Sequence, residues 1–173
     1  MNMEKEKVSQ DFLYKYLTSQ GVNITTLSEL MGVSMTMVNG CFRHNKDRNG
    51  VARNFPAPTL QKLNAALEVM AAEIRKAKIV FGSDQTYTNN RGATYDPATI
   101  EQVKTLHRYF KLSKFLYNTL GWKGDKISIT LRSTTSKAYG CISQEHVDRI
   151  NAELLAVAGM LDSIKVVGSD DRQ

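Results

Sequence analysis

Residues Thr26 to Asn39, TLSELMGVSMTMVN, admit few folds. Leu27 and Met31 stand four apart, so they share one face of a helix. Gly32 follows at once. A helix that stops abruptly needs a left-handed residue there, and glycine takes that conformation without a Cβ clash. Val33 then tucks into the angle between two helices. Ser34 is a good N-cap for the second helix, in which Val38 and Phe42 again repeat at four. Thr26 is the expected cap of the first helix, with Glu29 reaching back to close a capping box. Met35, Thr36, Met37, Asn39 and Arg43 fall outside the buried face.

This pattern resembles the Cro/repressor-like, or XRE-type, family of helix-turn-helix domains, which carries Leu-x-x-x-Leu-Gly-Val-Ser-x-x-x-Ile/Val. Here it stands as Leu27, Met31, Gly32, Val33, Ser34 and Val38, with Ser28 at the small position after the first Leu. The resemblance covers most of Val8 to Ala77. It implies an all-α, lambda-repressor-like fold whose second motif helix lies in the major groove of double-stranded DNA. The positions that would then face base edges are Ser34, Met35, Thr36, Met37 and Asn39. Asn39 can make a bidentate contact to adenine. Thr36 can bond a base or a phosphate, or set its methyl against thymine. The two methionines read equally as extra core or as a protein-binding surface, since Met adapts to its neighbours.

The same succession then comes again. Asp96-Pro97 announces a helix, Asp96 as N-cap and Pro97 at its first position, with Ile100, Val103, Leu106 and Phe110 on its apolar side. Placing Leu120-Gly121 on Met31-Gly32 sets Leu116 on Leu27, Trp122 on Val33, Ile127 on Val38 and Arg132 on Arg43. A polar loop and a long helix follow in both halves, from about Thr59 in the first and capped by Ser143 in the second. Even the endings agree, Lys78-Ile79-Val80 with Lys165-Val166-Val167. The pattern predicts a tandem duplication: residues 1–82 as one helix-turn-helix domain, 83–95 as a linker and 96–173 as a second, more divergent domain. Each half has its own core stripe, and the two motifs could act as a built-in dimer, in two-fold or head-to-tail relation. In the second half Lys123 replaces the capping Ser34, and its motif helix is expected to start near Asp125. That motif is as open to a phosphate-clamp or interaction role as to reading DNA.

Charge points the same way. The chain has 173 residues, a formal charge of +6 and a pI of about 9.3. This suits a polyanionic partner, and it also serves plain solubility. Arg43, His44, Lys46, Arg48 and Arg53 surround the loop after the first motif, opposed only by Asp47. Such cations contact phosphate and set register without reading sequence; the bland alternative is a solvated loop. The second-half counterparts are Lys123, Lys126, Ser128, Arg132 and Lys137.

Other functions find little support. Cys41 and Cys141 show no metal spacing and no disulfide framework, which fits a reducing, cytoplasmic setting. No apolar run approaches a membrane span, and the charged start has no signal-peptide h-region. His44, His107 and His146 lie in separate segments without ligand spacing, and His107 reads as structural on a half-buried helix. There is no Gly-rich phosphate loop and no nucleophile elbow. Neither catalysis nor a cofactor or metal is expected. The sequence predicts specific binding of double-stranded DNA by a small bacterial or phage transcriptional regulator, with a homodimer or another protein partner left open. The alternative is a protein-binding adaptor, or a phage structural or inhibitor protein, that keeps the helix-turn-helix shape.

Overall fold

The computed structural model describes residues 4–82, 87–88, 94–132 and 142–168. The chain is mostly helical. Its helices are α1 (Gln10–Gln20), α2 (Ile24–Met31), α3 (Met35–Phe42), α4 (Ala57–Lys76), α5 (Pro97–Thr105), α6 (Leu112–Leu120), α7 (Gly124–Arg132) and α8 (Gln144–Ser163). A 3-10 turn, Leu106–Arg108, follows α5. Strands are short: β1 (Glu6–Val8), β2 (Tyr87–Thr88), β3 (Thr94–Tyr95) and β4 (Ile164–Val166). β2 and β3 form an antiparallel pair inside the expected linker, most of which lies outside the described residues. Among the described residues no helix is long and apolar enough to cross a membrane.

Local chemistry sets most helix ends. Ser9, Ser34, Asp96 and Ser143 each accept a hydrogen bond from a backbone N–H in the first turn of the helix they precede. Gly32 closes α2 at φ 64°, and Gly121 closes α6 at φ 69°, at matching places in the repeat. Thr26 is not a cap. The helix begins three residues earlier, where the Asn23 side chain accepts from Thr25 N. Thr26 is buried inside α2, and its hydroxyl donates to the Arg108 carbonyl in the other half of the chain. His107 is exposed in the 3-10 turn, not half-buried, and its Nδ1 stands 2.8 Å from Lys104 O.

The halves interlock. α4 lies along α8, burying Leu63, Leu67, Met70, Ala71 and Ile74 on one helix and Ile150, Leu154, Val157, Ala158 and Leu161 on the other. Each long helix then grips the other half's tail through one amide. Asn64 Nδ2 donates to Val166 O at 3.0 Å, and its Oδ1 accepts from Val166 N at 2.8 Å. Asn151 does the same to Ile79, with both bonds at 2.8 Å. Asn64 and Asn151 occupy the same place in the two repeats, as do Ile79 and Val166. Arg75 and Asp162, also matched, pair with each other across the helices.

The heads of the halves are exchanged in the same sense. β4, the second tail, runs parallel to β1, the first head, with Glu6 opposite Ile164 and Val8 opposite Val166. The first tail lies on the second head: Gly82 N donates to Asp96 Oδ2 at 3.1 Å, and Gln102 exchanges two bonds with Val80. The connectors before the two turn motifs also meet. Val22 bridges Phe110, with Asn23 N donating to Tyr109 O and Lys111 N to Gly21 O, both at 2.7 Å. Contacts in which i meets j and the counterpart of j meets the counterpart of i are the mark of a two-fold relation. The buried residues of both halves accordingly belong to one apolar cluster.

The packing can be probed at the two amides and at the turns. Asn64→Ala and Asn151→Ala each strand a backbone N–H and C=O at a residue no more than 2 % exposed, so each should cost about 1–3 kcal/mol. In urea both should shift the midpoint of one shared transition; a variant that splits unfolding into two transitions would speak for independent halves. The glycine turns should differ as well. A Cβ at Gly32 meets nothing, whereas one at Gly21 (φ 72°) falls 3.0 Å from the Lys114 side chain and 3.4 Å from Phe115 N. Gly32→Ala should therefore cost about 1 kcal/mol of backbone strain, and thermal melts should show Gly21→Ala to be the more damaging.

Candidate nucleic-acid interface

α3 is held from behind. Val38, Cys41 and Phe42 are buried under it. The Phe42 ring stacks on Tyr14 at 5.2 Å and meets Phe55 edge-on at 5.0 Å, tying the helix to α1 and to the end of the following loop. Buried Gln10 joins the same three pieces: its Nε2 donates to Cys41 O at 2.8 Å, and its Oε1 accepts from Phe55 N at 3.4 Å. An amide buried at the start of an amphipathic helix gives no sequence signal, because its partners are distant in the chain.

The outward side of α3 divides in two. Ser34 and Thr36 are exposed, and the Ser34 hydroxyl is engaged as the cap, 3.3 Å from Met37 N. Met35 and Met37 are half-buried and pack against the core, so part of their surface is structural. Asn39 is half-buried too. Neither its amide nor the Thr36 hydroxyl has a hydrogen-bond partner among the described residues. An unengaged amide and an unengaged hydroxyl, three apart on one helix, suit base edges in a major groove.

Several cations follow this helix in the chain: Arg43, which ends it, and Lys46, Arg48 and Arg53 in the next loop. Lys46 and Ala52 bridge a small hairpin, and the Asp47 carboxylate accepts from Asn49 N (2.8 Å) and Val51 N (2.9 Å). The one acidic residue of the loop is thus taken up by its turn. Lys46 and Arg48 are exposed and have no ion-pair partner among the described residues. Arg43 Nε donates to the Tyr14 hydroxyl at 3.3 Å. His44 also turns to α1, with Nε2 at 2.5 Å from Asp11 Oδ1. Arg53 lies across α3: a Cβ on Gly40 would come within 3.4 Å of its guanidinium. Glycine inside a helix weakens it, and that cost is the signal that could have marked Gly40 as the seat of Arg53.

The second motif is built differently. Lys123, Asp125, Lys126, Ser128 and Ile129 are exposed on or beside α7, whose buried side is Ile127 and Thr130. Lys126 Nζ sits 4.6 Å above the Trp122 ring, a cation–π contact that draws it toward the turn. Arg132 is the last residue of α7; Lys137 and Cys141 lie outside the described residues. Trp122 meets His146 edge-on at 5.2 Å. His146 completes a capping box at the start of α8, its Nδ1 accepting from Ser143 N at 3.2 Å. Among the described residues no His, Cys, Asp and Glu come together in a way that could hold a metal ion.

His146 yields a pH prediction. Burial, with help from the Lys126 and Arg149 charges and against Glu145, pulls its pKa below the usual imidazole value. A proton on Nδ1 would also remove the acceptor that Ser143 N needs. With the folded pKa lowered, the neutral ring's contribution is full above the unfolded pKa of about 6.5 and is lost as pH falls through the folded value. Gln at this position can keep a capping box without titrating. Between about pH 7.5 and pH 5.5, the wild-type Tm should therefore fall further than that of His146→Gln. Equal falls would detach His146 from acid stability.

No protein-family model, no curated protein and no solved structure matches the chain.

Proposed function

We propose that the protein binds double-stranded DNA sequence-specifically, as a small transcriptional regulator of bacterial or phage type with the helix-turn-helix of the Cro/repressor-like kind. The observation that carries this reading is the outward side of α3. It carries the unengaged Asn39 amide and Thr36 hydroxyl with Arg53 laid over Gly40, and the exposed cations Arg43, Lys46 and Arg48 follow in the chain. In this reading Asn39 and Thr36 meet base edges, Ser34 holds the helix start, and the loop cations meet phosphates. Met35 and Met37 supply apolar contact at the rim while also closing the core.

A second reading, a protein-binding adaptor of the same shape, draws on Ile129 at 40 % exposed and Tyr117 at 56 %, which give the second motif an apolar outer side. Retention on random duplex DNA over a salt gradient separates the two. A DNA binder holds on and loses affinity steeply with salt, while an adaptor elutes early.

Substitutions sharpen the test. Losing a bidentate amide–adenine pair costs roughly 1–3 kcal/mol of discrimination. Asn39→Ala should therefore reduce preference for the best site over random duplex, with the salt slope nearly kept. Arg48→Ala with Arg53→Ala should weaken both kinds of DNA alike and flatten the slope by about one unit for each phosphate no longer neutralised. Competition binding at several salt concentrations measures both. If neither variant alters DNA binding, the regulator reading fails.

A further inference from the structure

Resting on the DNA-binding reading, we infer that one chain serves a complete two-fold site, with α3 on one half-site and α7 on the other. The partner is then an imperfect inverted repeat, bound one chain per duplex. Four observations lead there. The Asn64–Val166 and Asn151–Ile79 bonds are reciprocal. The matched Arg75 and Asp162 pair with each other. The connectors ahead of the two turns bridge one another at Val22 and Phe110. Both turns are closed by a left-handed glycine at the same place, Gly32 and Gly121.

A two-fold relation turns one motif onto the other with its direction reversed along DNA. A flexible tether between separate domains would allow half-sites in either orientation. The exchange of tails and heads removes that freedom and leaves the inverted arrangement. Its half-sites should lie about 10 base pairs apart, centre to centre, or a multiple of that. Oligomerisation is not needed, because the second motif is already in the chain.

The two half-sites should differ in sequence and in strength. Where α3 presents Thr36 and Asn39, α7 presents Asp125 and Ser128, both exposed. A carboxylate accepts from the cytosine amino group, while a hydroxyl pairs with several bases. The α3 half-site should thus carry the stricter preference, with adenine prominent, and the α7 half-site a weaker one that favours cytosine.

Selection of bound sequences from a random duplex pool by the full chain tests this, followed by footprinting and a measured protein-to-duplex ratio. The expected result is one chain per duplex and two protected blocks in inverted orientation, one more strictly specified. Thr36→Ala with Asn39→Ala should relax the stricter block by about tenfold or more and leave the other. Asp125→Ala with Ser128→Ala should do the converse. All four positions are at least partly exposed, and a thermal melt checks that each variant stays folded. A single protected block, blocks in direct orientation, or two chains per duplex would overturn the inference while the α3 variant still upheld DNA reading. If no sequence is enriched, the DNA-binding reading itself falls, and this inference with it.

Discussion

The α4–α8 packing and two amide side chains hold the halves of this molecule together. Asn64 and Asn151 each sit on a long helix and close on the backbone of the opposite tail. The tail residues they hold, Ile79 and Val166, are no more than 2 % exposed. Fully burying a side chain of this size is worth about 1.5–3 kcal/mol, and most of that is lost if a tail leaves its groove. The α4–α8 core, the β1–β4 pair and the Val22–Phe110 bridge also join residues from different halves.

Contacts within the first half fix where α3 can point. The helix has its inward side on Val38 and Phe42, its carbonyl end tied to Gln10, and the Arg53 side chain laid over Gly40. A short helix of this length would be marginal alone. Its persistence and direction come from these tertiary contacts, which leave Thr36 and Asn39 facing outward and unengaged. α7 has a weaker version of the same support. It lacks a serine at the place of Ser34, and its Lys126 leans on Trp122 instead of standing clear. The divergence between the halves is thus concentrated on the outward sides, whereas the turn glycines and the tail-holding amides are alike.

Much of this is legible in the sequence, and the limits are instructive. Gly32, Gly121, Ser34, Asp96 and Ser143 act through neighbours two to four residues away, so their roles can be read locally. The start of α2 lies three residues before the expected one, because competing caps stand close together and tertiary contacts choose between them, and α4 starts two residues before Thr59 with no side-chain cap to mark it. Asn23 wins over Thr26 since the Thr26 hydroxyl is taken by Arg108 O, a bond no local rule foresees. The crossed tails are illegible for the same reason. Asn64 and Asn151 look like ordinary polar residues on amphipathic helices, and their partners lie far along the chain. The Met35 and Met37 ambiguity is real: both are half-buried and reach the core. Lys46 and Arg48 read as weakly opposed from the sequence alone, but the reason they stand free, that Asp47 is consumed by its own turn, needs the geometry.

If the two halves form one unit through their packed helices and exchanged tails, cutting the chain between them should not separate them. With a protease site inserted after Asn90 and the purified protein cleaved, the account predicts that the fragments stay together in sedimentation at native conditions. It also predicts that they melt in one transition whose midpoint falls on dilution, as for any bimolecular complex. Fragments that separate into two folded species, each with its own concentration-independent melt, would contradict it.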